Sequence, residues 1–165
     1  MGQCYPNSLT QKQLLARGNL RVKILSVKKV FELQAAPEDL AAFRPKLRIL
    51  LQATGMDEIK SGETVLAVDE ALTNIYRHAY QNQPGKIHLC FQDEKNRVEI
   101  LIRNWGIKFD PTQAPPPQLP PVKPGGLGIH LIKNLMDQVA YNTGNHGENQ
   151  LRLIKYKKGR REDHA

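Results

Sequence analysis

Residues 86–103, KIHLCFQDEKNRVEILIR, alternate apolar and polar side chains on both sides of a short polar turn, DEKN. Period-two alternation marks a half-buried strand, and two such runs around a tight turn make a hairpin. Ile87, Leu89 and Phe91 share one face of the first strand, and Val98, Ile100 and Ile102 share one face of the second. A sheet with one apolar face needs a second layer to cover it, which narrows the fold to layered architectures.

The segments around the hairpin supply that layer. Pro37 opens a helix, with Glu38 and Asp39 in the first turn where negative charge suits the helix dipole. Leu40, Phe43, Leu47, Leu50 and Leu51 form its apolar stripe, Pro45 introduces a potential kink, and Gly55 ends it. A second helix is expected from Asp57 to Tyr80, where Val65, Val68, Leu72, Ile75, Tyr76 and Ala79 recur at helical spacing. A third starts near Gly126 and carries Leu127, Leu131, Leu135 and Val139. KKVFELQA (28–35) and NQLRLIKYK (149–157) read as outer strands, and LRVKILSV (20–27) is a further strand candidate. The order strand, helix, helix, hairpin, helix, strand predicts an α+β fold. It is a two-layer α/β sandwich on a mixed, mostly antiparallel sheet, not a doubly wound parallel one. We divide the chain into a basic arm (1–27), one domain (28–157) and a basic tail (158–165).

Charge is informative mainly through its distribution. The net +8 divides into +6 from residues 1–31, −1 from 32–154 and +3 from 155–165. A near-neutral body with basic ends fits solvated tails or docking on an acidic partner. No interleaved aromatic and basic face supports nucleic-acid binding. No apolar run is long enough to span a bilayer, so no membrane role is expected. MGQC opens like a myristoylation signal, but Pro6 stands where Ser or Thr is required. Cys4 and Cys90 are the only cysteines, and no signal-peptide pattern precedes them, which suits a reducing, cytoplasmic setting.

Three constellations carry chemistry. In VDEALTNIYRHAY (68–80), Glu70, Asn74 and Arg77 fall on one helical stripe opposite the apolar one. The amide can ligate Mg²⁺, the carboxylate can take a proton, and the guanidinium can meet phosphate. Taken alone, such a stripe is more often a solvated helix face. In RNWGIKFDP (103–111), Asn104 and Gly106 follow directly on a strand, where a side chain can reach a pocket and glycine allows close approach. An ordinary strand exit looks the same. In KPGGLGIHLIKNLMD (123–137), Gly125, Gly126 and Gly128 lead into a helix whose free N–H groups favour an anion. It lacks the Gly-Lys-Ser/Thr of a Walker loop and does not follow a first strand as a dinucleotide fingerprint does.

Together, in this order and spacing, the three resemble the N, G1 and G2 boxes of the ATP-binding fold shared by gyrase, MutL and histidine kinases. Within that superfamily the resemblance points to the anti-sigma-factor serine/threonine kinases and spans residues 28–157. It implies helices on one face of the sheet, with ATP held against them under a lid at 111–124. It further implies Mg²⁺ on Asn74, proton acceptance by Glu70, and adenine recognition by Asn104 with Gly106 beside the base. Gly125, Gly126, Leu127 and Gly128 would line the phosphates, where Arg77 and Lys123 would also reach. The reaction implied is phosphoryl transfer from Mg·ATP to a serine or threonine of a small anti-anti-sigma (STAS-type) domain. A sigma factor would be the second partner, and a homodimer is possible.

Two departures set this chain apart from that pattern. Asn104 stands where an aspartate is usual, so a charged acceptor becomes a neutral one, roughly half as strong. Weaker but retained ATP binding follows, with poorer rejection of GTP if the amide turns and donates. The lid holds seven of the eleven prolines and only one basic residue, Lys123. These departures leave a second reading open, a partner-binding module that uses ATP only as a conformational ligand. A histidine kinase is disfavoured because no helix carries a suitable acceptor histidine.

Overall fold

The computed structural model describes residues 27–108, 110 and 127–158. The strand candidate over 20–26, the lid at 111–124 with Lys123, and Gly125 and Gly126 lie outside the described residues. Strand β1 is Val27–Gln34, one residue longer at its start than the pattern predicts. Helix α1 is Pro37–Ala53, and it continues through Pro45. No side chain caps its start; Pro37 and the acidic Glu38 and Asp39 suit that end instead. Its other end closes on Thr54, whose hydroxyl donates to the Leu51 carbonyl at 2.6 Å. Gly55 follows at φ +76°, a left-handed conformation that glycine adopts without strain.

Helix α2, Glu58–Asn74, starts where the Asp57 carboxylate accepts the Lys60 N–H at 2.8 Å. The expected single helix to Tyr80 is corrected here. After Asn74 the backbone widens into a π turn, Ile75–Ala79, closed by Tyr80 N–H donating to the Ile75 carbonyl at 3.0 Å. The hairpin forms as read, from β2 (Lys86–Asp93) and β3 (Arg97–Asn104), with Leu89 opposite Ile102 and Phe91 opposite Ile100.

Helix α3 is Leu127–Leu135, and it stops before Val139, which corrects the second expectation. Met136 N–H closes the last turn on the Ile132 carbonyl, and Asp137 N–H then bonds across to the Ile154 carbonyl at 2.9 Å. The chain has joined the sheet as β4, Gln138–Thr143, where Val139 pairs with Leu153 and Tyr141 with Leu151. Val139 lies four residues beyond Leu135 and so mimics a helical position, yet it meets the same core as a strand residue. Strand β5, Asn149–Tyr156, completes a five-stranded sheet in the order β1-β2-β3-β5-β4, and every pairing is antiparallel.

One core joins the layers. Phe43, Leu47 and Leu51 of α1, Val65, Val68 and Leu72 of α2 and Ile132 of α3 meet the inward residues of β2, β3 and β5. The helices therefore cover one face of the sheet. Ile100, Ile102 and Leu153 are fully buried, and each such side chain contributes about 1.5–3 kcal/mol of transfer free energy. Edge strand β1 carries Lys28 and Lys29, charges of the kind that discourage strand addition.

Candidate functional site

The inward phase of the central strands changes character at one end. Along β3 it runs Val98, Ile100, Ile102 and then Asn104; along β5 it starts at Asn149 and continues with Leu151 and Leu153. Asn104 and Asn149 are register partners, and they are 4% and 2% exposed. They floor a half-open cleft at this end of the sheet. Ala71, Ile75, Ile132 and Leu151 give it apolar walls, and Asn74 and Tyr141 add polar groups to the two amides.

The floor is a connected hydrogen-bond network. Tyr141 hydroxyl donates to Asn149 Oδ1 at 2.7 Å. Asn149 Nδ2 donates to Asn104 Oδ1 at 2.9 Å and lies 3.2 Å from both the Gly106 and the Ile107 carbonyl oxygens. Asn104 Oδ1 also accepts the Gly106 N–H at 3.2 Å. Buried amides that are paired in this way keep a single arrangement, because an unpaired buried polar atom costs about 1–3 kcal/mol.

The π turn positions the strand exit beside that floor. Its final carbonyl, on Ala79, accepts the Ile107 N–H at 2.8 Å. Gly106 lies so close to Ala79 that a Cβ there would overlap the Ala79 carbonyl, which explains the glycine. Tyr80 fixes the same corner by donating to the Lys86 carbonyl at 2.6 Å and accepting the Trp105 N–H at 3.0 Å. Burial pushes its phenol pKa up, so it stays a neutral donor and acceptor. Trp105 is exposed and meets His88 edge-on at 4.9 Å.

Glu70 and Asn74 sit four residues apart in the regular part of α2, on one face. Asn74 lines the cleft, and its Nδ2 is buried without a hydrogen-bond partner. Glu70 lies against the first turn of α3, where a Cβ on Gly128 would collide with its carboxylate. Arg77 is exposed and is not among the cleft-lining residues. A π turn advances less rotation per residue than an α-helix, so Arg77 leaves the stripe that even spacing gives it. The structure thus brings together Asn74 and Asn104 at the cleft, with Gly106 hydrogen-bonded to Asn104, and Glu70 with Gly128. Leu127 opens α3, and Lys123, Gly125 and Gly126 lie outside the described residues.

Sequence reasoning missed Asn149 and Tyr141. A signal existed for Asn149, an amide in phase with Leu151 and Leu153 in an alternating strand. Tyr141 lies on β4, of which the sequence pattern places only Val139, on the third helix.

Among the described residues, no group of three or more His, Cys, Asp or Glu side chains could hold a metal. Mg²⁺ commonly takes one or two protein ligands and completes its shell with water and phosphate oxygens. Asn74 lines the cleft and could supply one such ligand through its amide oxygen; the atom buried without a partner is its nitrogen, which does not coordinate a cation.

Comparison with known proteins gives a consistent picture. The sequence profile of the histidine kinase-like ATPase domain matches residues 33–155. Serine-protein kinase RsbW of Bacillus subtilis is 30% identical over 139 residues, which cover 79% of this chain and 86% of that protein. Serine-protein kinase RsbW of Staphylococcus epidermidis is 33% identical over 118 residues, covering 65% and 74%. A crystal structure of the RsbU and RsbW domains of a Mycobacterium tuberculosis protein shares the fold, with a TM-score of 0.55 at 17% identity over 78% of this chain. The present chain spans 31% of that structure.

Proposed function

The chain belongs to the histidine kinase-like ATPase domain family, on its RsbW-like branch, and from that premise we propose that it is a protein serine/threonine kinase acting as an anti-sigma regulator. Its phosphoryl donor is Mg·ATP, its acceptor a hydroxyl of an anti-anti-sigma (STAS-type) domain, and its second partner a sigma factor. The observation that carries the reading is the convergence of Glu70, Asn74 and the first turn of α3 beside one cleft.

Each residue then has a task. Asn74 turns its amide oxygen to the metal. The metal that Asn74 would hold would supply positive charge against the charge that develops during transfer. The N-terminal turn of α3 offers N–H groups to phosphate oxygens, and Gly128 keeps that turn open toward Glu70. Glu70 accepts the proton of the incoming serine or threonine hydroxyl as its oxygen bonds to the γ-phosphorus and the bond to the β-phosphate oxygen breaks. The resemblance also assigns phosphate contacts to Lys123, Gly125, Gly126 and Leu127, and Lys123, Gly125 and Gly126 lie outside the described residues. Arg77, on the exposed surface of the π turn, is better placed to meet the protein partner than the nucleotide.

Incubation with γ-labelled Mg·ATP and candidate anti-anti-sigma domains tests this. Label is expected on a serine or threonine of one partner, and Glu70→Ala should lower the rate by about 10²–10⁴, the usual range for a lost general base. Undiminished labelling by that variant would remove Glu70 from the role. Nucleotide binding without label on any partner would favour the non-catalytic binding module.

A further inference from the structure

On the purine-nucleotide reading the Asn104 end of the cleft meets the base, and it differs in one testable respect from a site that accepts an amino group. An amide can in principle face a ligand with either atom, and the two are distinguished only by their surroundings. Here the surroundings are backbone groups of fixed identity. The Gly106 and Ile107 carbonyls can only accept, so they hold Asn149 with its nitrogen toward them. Tyr141, donating to the opposite atom of Asn149, agrees with that orientation. Asn149 therefore presents a donor to Asn104, and the Gly106 N–H presents a second. Both require Asn104 Oδ1. Turning Asn104 over would set two pairs of donors against each other in a buried site.

We propose that Asn149 and Tyr141 lock the Asn104 amide with Nδ2 toward the cleft, so that the pocket meets the purine 6-position with a donor and selects a 6-oxo purine nucleotide over a 6-amino one. Asn104 lines the cleft, and the hydrogen bonds its amide makes among the described residues run through Oδ1. The O6 oxygen of hypoxanthine or guanine accepts such a donor. The amino group of adenine, itself a donor, opposes it. ATP still enters through its phosphates and ribose, and the 6-position sets the preference. The same geometry holds for an aspartate at position 104, with the opposite result. One carboxylate oxygen would take the two donors, and the other would be left as an acceptor for the adenine amino group. Asn149 and Tyr141 are positioning residues in this scheme, acting through Asn104.

The inference rests on the purine-nucleotide reading of the cleft, and the experiment separates the two. Equilibrium affinities of Mg·ATP, Mg·ITP and Mg·GTP are measured for the wild type, Asn104→Asp and Tyr141→Phe. ITP is the key comparison because it replaces the 6-amino group with oxygen and lacks the 2-amino group of GTP. The wild type is expected to bind ITP at least about fivefold more tightly than ATP, a ratio that one neutral hydrogen bond supplies. Asn104→Asp should reverse the ratio to favour ATP by about tenfold, and Tyr141→Phe should move it toward one. A general loss of fold would weaken all three nucleotides together and leave the ratio unchanged. A wild-type ratio of one or in favour of ATP, or an unchanged ratio in an Asn104→Asp protein that unfolds at the wild-type midpoint, overturns the donor-inward lock and leaves the nucleotide site standing. Binding of none of the three overturns both.

Discussion

The inward face of β5 carries a polar residue at each end, and the two ends are built differently. At one end Lys155 is 7% exposed and fully engaged, with Nζ 2.6 Å from Glu63 of α2 and 2.6 Å from the Leu135 carbonyl of α3. At the other end Asn149 and Asn104 are equally buried but neutral, and they adjoin an open cleft where Asn74 keeps an unmatched amide nitrogen. Between them Leu151 and Leu153 sit in hydrocarbon. The difference separates two uses of buried polarity. A buried charge whose carboxylate and carbonyl partners lie within the chain ties α2, α3 and the sheet together. Amides with remaining capacity at the edge of a cleft are suited to a ligand.

This contrast can be broken at three places along and across the strand. The middle should respond most. Leu153→Ala leaves a cavity at a fully buried site and should cost about 2–5 kcal/mol in denaturant unfolding. It should leave the ATP-to-ITP affinity ratio alone in the protein that remains folded. A changed ratio would mean that the core and the cleft are not separable.

The Lys155 end comes next. Glu63→Gln strips the ammonium of its carboxylate, and breaking a buried pair typically costs 3–5 kcal/mol. The Glu63 side chain is 35% exposed, so water compensates in part and about 1–3 kcal/mol is expected. Nucleotide affinity should not follow. A loss of affinity as large as the loss of stability would make this end part of the site.

The smallest effect belongs to the opposite face of β5. Arg152 holds Glu99 of β3 through two hydrogen bonds of 2.8 and 2.7 Å, and that pairing lowers the Glu99 pKa below its ordinary 4.5. A depressed carboxylate adds stability that is present above the unfolded-state pKa and is lost as pH falls through the lower folded value. Glu99→Gln should therefore cost about 0.5–1 kcal/mol at neutral pH and next to nothing once the wild-type carboxylate is protonated in both states. Equal differences between wild type and variant at pH 7 and at strongly acidic pH would contradict the assignment.

Much of the sandwich was legible because its signals are local. Alternation in 86–103 gave both central strands with their correct faces, and the apolar stripes of α1 and α2 gave the helical layer. Val139 was misread because its four-residue step from Leu135 satisfies helical spacing. The bond from Asp137 N–H to the Ile154 carbonyl that ends the helix is a long-range event no window contains. The π turn was hidden for a related reason, since Ile75–Ala79 keeps helix-forming residues while its hydrogen bonds shift by one. That shift is why Glu70 and Asn74 kept their predicted face and Arg77 did not. At the cleft, Asn104 could be picked from its place at a strand end. The direction of its amide could not, because it depends on Asn149, 45 residues away in the chain, whose own amide is set by the Gly106 and Ile107 carbonyls.

The central claim is that the Asn74 end of the sandwich takes a magnesium-bound nucleoside triphosphate, and thermal unfolding with and without that ligand tests it most directly. At about 100 times its dissociation constant a ligand of the native state adds about 2.7 kcal/mol. For a chain of this size that should raise the midpoint by about 5–10 °C. Wild type should show this shift with Mg²⁺ and nucleotide together, and Asn74→Ala should lose most of its magnesium-dependent part while unfolding normally without ligand. A wild-type midpoint that does not move with any Mg·nucleoside triphosphate, or a full magnesium-dependent shift in Asn74→Ala, would contradict the account.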